Sequence, residues 1–89
     1  MLVLPAELTH PQATACCRML AQALRSHPDK AVVADAAALS RFDSSALAVL
    51  LECRREALAV GKTFAVARLP ARLRELAGLY GVAELLPAP

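Results

Sequence analysis

Short apolar runs alternate with longer stretches of helical spacing along the 89 residues of the chain. The apolar runs are brief and rich in Val or Leu, which is typical of buried strands. They cover 2–4, 30–35 and 62–68. In the longer stretches, apolar residues recur every three or four positions, which predicts amphipathic helices over about 10–25, 43–60 and 70–81. Residues 82–86 fit either one more helical turn or a short strand.

Capping residues and helix breakers support these boundaries. Thr9 and Gln12 have the Thr-x-x-Gln spacing of a capping box, so we expect the first helix to begin there. Pro28 ends that helix, because proline biases the residue before it away from helix. Gly61 follows the second helix, at a position where glycine often takes a left-handed conformation. The inner face of that helix is expected to consist of Leu47, Leu50, Leu51 and Leu58.

The order of the elements is strand, helix, strand, helix, strand, helix. Alternation at this spacing predicts one α/β domain over residues 1–89, in which helices connect parallel strands with right-handed crossovers. We interpret 36–42 as a linker between the second strand and the second helix. A chain of this size is long enough for one core but too short for a deep cleft between two domains, which favours binding or regulation.

Composition and charge exclude several classes of protein. Hydrophobic residues make up 57% and charged residues 20%, so we expect a folded chain. Aromatic residues make up only 3% and the net charge is +2, which argues against a nucleic-acid partner. No apolar stretch approaches the roughly 18 residues of a transmembrane helix, and the N-terminus lacks the basic region of a secretory signal. We therefore expect a cytoplasmic protein without direct membrane insertion.

The sequence contains no complete set of catalytic residues. His10 lies at a predicted cap and His27 precedes a proline, so both are interpreted as turn residues. The cysteines, Cys16, Cys17 and Cys53, match neither a zinc spacing nor a Cys-x-x-Cys motif. The three glycines form no phosphate-binding loop. We expect no enzymatic activity, no cofactor and no metal site.

Two carboxylates flank the predicted linker. Asp35 ends the second strand and Asp43 precedes the second helix, and carboxylate pairs act as acid and base in some hydrolases. Because no cleft is expected between them, we interpret them as turn-forming and capping residues.

The segment from Phe42 to Leu47 is the most distinctive in the chain. Its sequence, Phe-Asp-Ser-Ser-Ala-Leu, places a carboxylate and two hydroxyls at a helix N-terminus, where backbone N–H groups lack partners and the helix dipole is positive. One group suffices as the N-cap, and we expect Asp43 or Ser44 in that role. The second hydroxyl is then free to contact a partner or to accept a phosphate. The residues alone leave a structural cap and a functional surface equally open.

The stretch from Val33 to Leu47, Val-Ala-Asp-Ala-Ala-Ala-Leu-Ser-Arg-Phe-Asp-Ser-Ser-Ala-Leu, resembles the signature of STAS domains, the sulfate-transporter and anti-sigma-factor-antagonist family. That signature is a strand ending in Asp, a short linker, and Asp-Ser/Thr-x-Gly-Leu at the start of a helix. The tail from Leu76 to Pro87 is similar to MlaB-type members, the STAS subunits of the Mla phospholipid-transport ABC complex. The resemblance implies one small STAS-like α/β domain, with a mixed, mostly parallel sheet and crossover helices.

Similarity to MlaB-type members implies a non-catalytic accessory subunit. Its partner would be the ABC ATPase subunit, which connects it indirectly to a permease in the inner membrane and to the maintenance of outer-membrane lipid asymmetry. The residues implied in partner binding are Asp43, Ser44, Ser45, Ala46 and Leu47. In transport-type members, the position of Ser44 contacts the ATPase.

Another branch of the family implies the alternative function. In anti-sigma factor antagonists, the position of Ser45 is phosphorylated by an anti-sigma kinase, which makes Ser45 the candidate phosphoacceptor. Because this chain has a hydroxyl at both positions, the motif does not choose between a transport subunit and a phosphorylation-switched antagonist.

Arginines on the predicted helices are further candidates for partner contacts, because arginine is enriched in protein interfaces. They are Arg54, Arg55, Arg72 and Arg74, the first two being on the helix that begins at the motif. The alternative is a solvated helix face on which they pair with glutamates, namely Glu52, Glu56 and Glu75.

Two features depart from the family pattern. Ala46 stands where the family usually has glycine, which bears on how closely a partner backbone can approach. The run Leu2-Val3-Leu4 aligns with the family's second strand, so we expect no counterpart of the usual first strand.

Overall fold

The computed structural model describes residues 2–89, and its elements follow the expected alternation. The strands are β1 (Leu2–Val3), β2 (Glu7–Leu8), β3 (Ala31–Asp35), β4 (Arg41–Phe42) and β5 (Thr63–Ala67). The helices are α1 (His10–Ser26), α2 (Ser44–Ala59) and α3 (Ala71–Leu79), followed by a 3-10 turn at Ala83–Leu85. The predicted α/β class is confirmed. Within residues 2–89, no helix combines the length and the apolar character needed to cross a bilayer.

Three strands form the main sheet, in the order β1-β3-β5. β3 and β5 are paired over their full length, from Ala31 opposite Thr63 to Asp35 opposite Ala67. β2 and β4 form a second ladder of two residue pairs. All strand pairings in the described part of the chain are parallel, as expected for strands connected by crossover helices.

The β2–β4 ladder corrects the interpretation of 36–42 as a linker. β2 follows β1 along the chain, and β4 follows β3. Paired residues are 32 positions apart in the sequence at Leu2 and Ala34 but 34 positions apart at Glu7 and Arg41. The additional residues are accommodated in the turn after β3, where the Leu39 N–H donates to the Ala36 carbonyl at 3.1 Å. Strands of two residues are too short for their periodicity to be recognised in the sequence.

The core lies between one face of the main sheet and the inner faces of the helices. The sheet contributes alternate residues, as the two-residue period of a strand requires. They are Leu2, Val32, Ala34, Phe64 and Val66. The helices contribute apolar residues three or four positions apart. Among them are Leu20, Leu24, Leu47, Leu50 and Leu73. Burial of this apolar surface is the main favourable contribution to folding.

The inner face predicted for α2 is correct at its centre and wrong at its end. Leu47 and Leu50 are buried and Leu51 is half-buried, whereas the Leu58 side chain is 50% exposed in the last full turn of the helix. A periodic pattern shows which face is turned inward, but it does not show how far the neighbouring elements extend.

The ends of the elements agree with their sequence signals. The Thr9 N–H donates to Gln12 Oε1 at 2.9 Å, as in a capping box. Gly61, after α2, has a φ of +75°, which glycine adopts without steric cost. Residues 83–85 form a helical turn, which decides between the two alternatives for 82–86. Beyond it, Leu86 is buried and the Pro87 carbonyl accepts the Val66 N–H at 2.9 Å, so the C-terminal segment covers the outer edge of β5.

Leu50→Ala is expected to lower the free energy of unfolding by roughly 2–5 kcal/mol, because it leaves a cavity where a fully buried side chain packs. Leu58→Ala, in the same helix, is the matched control and should cost much less, since its side chain is already half in water. Urea unfolding followed by circular dichroism measures both. Equal losses would contradict the orientation of α2 in this fold.

Candidate functional site

The Asp-Ser-Ser segment lies where two helices begin side by side. Asp43 is the N-cap of α2, and Ser44 and Ser45 are its first two residues. β4 ends directly before Asp43 and pairs with β2, which in turn leads through Thr9 into α1. The short β2–β4 ladder therefore brings the N-termini of α1 and α2 together.

One carboxylate caps both helices. Asp43 Oδ1 accepts the Ser45 N–H at 2.8 Å, and Asp43 Oδ2 accepts the N–H of His10, the first residue of α1, at 3.1 Å. The bond from the Ser45 N–H is the main reason that the pKa of the Asp43 carboxyl is lowered, and the His10 N–H adds to it. Asp43 is thus the cap that the sequence assigned to either Asp43 or Ser44, and its link to α1 was not expected.

The two serines differ in accessibility. Ser44 is exposed, and its hydroxyl makes no hydrogen bond with any of residues 2–89. Ser45 is half-buried, and its hydroxyl contributes to lowering the pKa of the adjacent Asp43 carboxyl. Ser44 therefore presents the free hydroxyl of this segment, whereas Ser45 belongs to the cap.

Ala46 and Leu47 lie beneath the segment in the core. Their side chains are 0% and 2% exposed, respectively. The Ala46 methyl group, which stands where the family usually has glycine, is used in packing against the core. These two residues therefore present almost no surface to solvent, and their packing holds the first turn of α2 in place.

Arg54 and Arg55 lie far from the Asp-Ser-Ser segment. They lie about three helical turns away, roughly 15 Å along the axis of α2. Arg55 lies on the same face of α2 as the exposed Ser44 and Ala48, because positions 44, 48, 52 and 55 follow one another at intervals of four, four and three residues. Its Nη1 lies 3.7 Å from Glu52 Oε2, which is a surface ion pair of the kind that contributes little to stability. Arg54 is half-buried on another side of the helix.

A shallow groove between α1 and α2 runs beside the face of α2 that carries Ser44 and Ala48. Its volume is about 300 Å³, and it is lined by Ala13, Thr14, Cys17, Arg18, Ala48 and Val49. A second depression, of about 480 Å³, continues towards the C-terminal halves of both helices, where Arg25 and Glu56 form an ion pair at 2.9 Å. The α1 side of this surface was missed in the sequence, since no local signal shows which helix lies beside the motif.

The cysteines pack between α1 and α2. Cys16 and Cys53 are buried and Cys17 is half-buried. Burial raises the pKa of all three thiols, that of Cys53 to about 12. They consequently stay protonated near neutral pH, and a protonated thiol is a poor nucleophile and a poor metal ligand.

Asp35 is engaged separately from Asp43. Arg68 donates through Nε to Asp35 Oδ1 at 3.0 Å and through Nη2 to Asp35 Oδ2, and the Ala37 N–H also donates to Oδ1 at 3.0 Å. The hydrogen bonds from Arg68 are the main cause of the lowered pKa of Asp35. Each carboxylate thus serves its own turn or cap, which confirms the interpretation made from the sequence.

The family model described as the Mlab STAS domain matches residues 1–87. The chain belongs to the STAS domain family. The match agrees with the resemblance of Val33–Leu47 to the STAS signature and with the similarity to MlaB-type members. No curated protein matches the sequence. In this STAS domain, the Asp-Ser-Ser segment of the signature starts α2 next to the start of α1, with Ser44 facing solvent.

The pH dependence of stability tests the double cap of the STAS domain. The pKa of Asp43 is lower in the folded chain than its ordinary value of 3.8. Its contribution is therefore fully present above that value and is lost as the pH falls through the folded-state pKa. Asp43→Asn, which keeps only one acceptor oxygen, should lower stability at about pH 7 and flatten the decline between about pH 5 and pH 2. Urea unfolding over a pH series measures both effects.

The control for this series is Asp29→Asn. The Asp29 side chain makes no hydrogen bond within residues 2–89, so the substitution should leave stability at about pH 7 nearly unchanged. Part of the acid dependence should remain in Asp43→Asn, because the pKa of Asp35 is lowered as well. An Asp43→Asn variant with the stability and acid dependence of the wild type would show that the carboxylate does not join the helices.

Proposed function

We propose that this STAS domain is a non-catalytic accessory and regulatory subunit of a phospholipid-transport ABC complex. In this function it binds and supports the ATPase subunit from the cytoplasmic side, and it is associated with the inner membrane only through the complex and its permease. The process served is the maintenance of outer-membrane lipid asymmetry. The family description supports the proposal, since it is the Mlab type of STAS domain that matches the chain.

The exposed hydroxyl of Ser44 is the observation that carries the proposal. Ser44 lies at the start of α2 with its side chain in solvent, and the Asp43 cap on both helices fixes its position. A hydroxyl can donate to and accept from a partner, and here it needs to break no bond within residues 2–89 to do so. A preorganised polar contact beside the apolar α1–α2 groove suits the docking of a folded protein.

The other polar groups of the segment have structural roles. The Asp43 carboxylate is occupied by two backbone N–H groups, and the buried thiols of the same helices stay protonated. These roles suit a subunit that acts by binding. The ATPase partner would supply the chemistry of the complex.

The alternative function is that of an anti-sigma factor antagonist switched by phosphorylation of Ser45. Its support is the place of Ser45 in the first turn of α2, where the helix dipole favours a phosphate. However, Ser45 is half-buried beside the Asp43 carboxylate, so a phosphate there would meet a like charge. The exposure of Ser44 therefore favours the transport subunit.

The proposal is tested by capturing the tagged chain from its native host in mild detergent and identifying the bound proteins by mass spectrometry. We expect the wild type to capture an ABC ATPase and a multi-span permease. Ser44→Arg should capture at least about tenfold less, a ratio that corresponds to about 1.4 kcal/mol of binding free energy. The reason is that the longer side chain occupies the contact.

Two further variants separate the possible causes of a loss. Arginine at a helix N-terminus also opposes the helix dipole, so Ser44→Tyr tests bulk without charge. Ala59→Arg, at the exposed C-terminal end of the same helix, is the matched control and should capture the ATPase as the wild type does. Capture of a kinase-like anti-sigma factor together with phosphate on Ser45 would overturn the proposal in favour of the alternative.

A further inference from the structure

Arg68 has an unusual backbone conformation for its residue type. Among residues 2–89 it is the non-glycine residue with a positive φ, +57°, and it follows β5 directly. This left-handed region brings the Cβ atom close to the following carbonyl oxygen and is visited mainly by glycine, asparagine and aspartate. Glycine would fit the backbone here without strain. Arginine at this position therefore carries a backbone strain that glycine would avoid.

The Arg68 side chain donates two hydrogen bonds to the Asp35 carboxylate. Nε donates to Oδ1 at 3.0 Å, and Nη2 donates to Oδ2. A two-bond fork fixes the plane of the carboxylate as well as its position, which a lysine ammonium does not do. With the fork in place, the Asp35 side chain is 14% exposed, so the pair is only partly in contact with solvent.

The strands that carry this pair are held together without it. β3 and β5 pair at every residue from Ala31 to Asp35, and the Ala36 N–H continues the ladder to the Ala67 carbonyl at 2.9 Å. The fork instead contributes to the turn that follows β3. The oxygen of Asp35 that receives the Arg68 Nε also accepts the Ala37 N–H, and this bond starts the turn after β3.

The segment 36–42 joins this turn to the candidate site. Its far end is attached to the Ala6 carbonyl, which accepts the N–H groups of Ser40 at 2.8 Å and Arg41 at 3.0 Å. From there, β4 leads directly to Asp43 and α2. Because β4 has only two residue pairs, its register has few ladder contacts of its own. Leu39 anchors the middle of the segment in the core, and the hydrogen bonds at both ends add to that anchor.

We propose that Arg68 is a positioning residue for the partner-binding segment. Through Asp35 and the Ala37 N–H, it fixes the path of residues 36–42 and thereby the position in which Ser44 meets the partner. The part of this inference that concerns the partner rests on the proposed function, and the part that concerns local order does not.

Local order is tested by amide hydrogen exchange of the isolated chain, measured by NMR. Arg68→Gly removes the ion pair and relieves the backbone, so the domain should remain folded. We expect exchange at Ala37 and in residues 39–42 to become at least about tenfold faster, while the amides shared by β3 and β5 keep their protection. Arg68→Lys retains the charge without the fork and should give an intermediate rate.

Two further substitutions show whether the effect passes through Asp35. In an Asp35→Asn background, Arg68→Gly should accelerate exchange little further, because the fork is already lost. Arg72→Ala, which removes an exposed arginine of α3 without a side-chain partner in residues 2–89, is the control and should change nothing. Unchanged exchange at Ala37 in Arg68→Gly would overturn the positioning role.

The link to the partner is tested with the ATPase identified in the capture experiment. Arg68→Gly should weaken its affinity several-fold although Ser44 is intact, and Arg68→Lys should restore part of it. Faster exchange with unchanged affinity would overturn the link between Arg68 and partner binding. If the wild type binds no ATPase, both the proposed function and the link between Arg68 and partner binding are wrong. The exchange rates still decide whether Arg68 orders residues 36–42.

Discussion

The carboxylate of Asp43 holds the N-termini of α1 and α2 at one point, through the N–H groups of His10 and Ser45. The β2–β4 ladder brings these helix ends together, but it consists of two residue pairs and has little strength of its own. A charged acceptor is well suited to this place, because the positive ends of both helix dipoles meet there. The shared cap lies at the start of α2, where Ser44 is exposed, Ser45 is half-buried and Ala46 is packed in the core.

Apolar packing determines the general arrangement of this domain, and polar contacts determine local geometry. The core of residues 2–89 contains no buried polar or charged side chain, so it determines the general arrangement of sheet and helices through burial alone. Around the candidate site, the polar contacts that determine local geometry lie at the end of the sheet where the parallel strands finish. Asp35 with Arg68 starts the segment 36–42 there, and Asp43 ends it. The proposed partner surface thus lies where side-chain hydrogen bonds add to core packing in setting the backbone path.

The sequence predicted the features that leave a local signal. The period of apolar residues indicated all three helices and the strands β3 and β5, and Gly61 marked the end of α2. The missed features depend on contacts between distant residues. The bond from His10 to Asp43 joins positions 33 residues apart, and β2 and β4 are too short for a period. The left-handed conformation of Arg68 leaves no local signal, and its side-chain partner, Asp35, lies 33 residues away.

Photocrosslinking within the native host tests the central claim most directly, namely that the start of α2 meets an ABC ATPase. A photoreactive amino acid is placed at position 44, and in a separate variant at position 59 on the exposed far end of the same helix. The account predicts a covalent adduct with the ATPase subunit from position 44 and none from position 59. An adduct from position 59 alone, or an adduct from position 44 with an anti-sigma kinase, would contradict it.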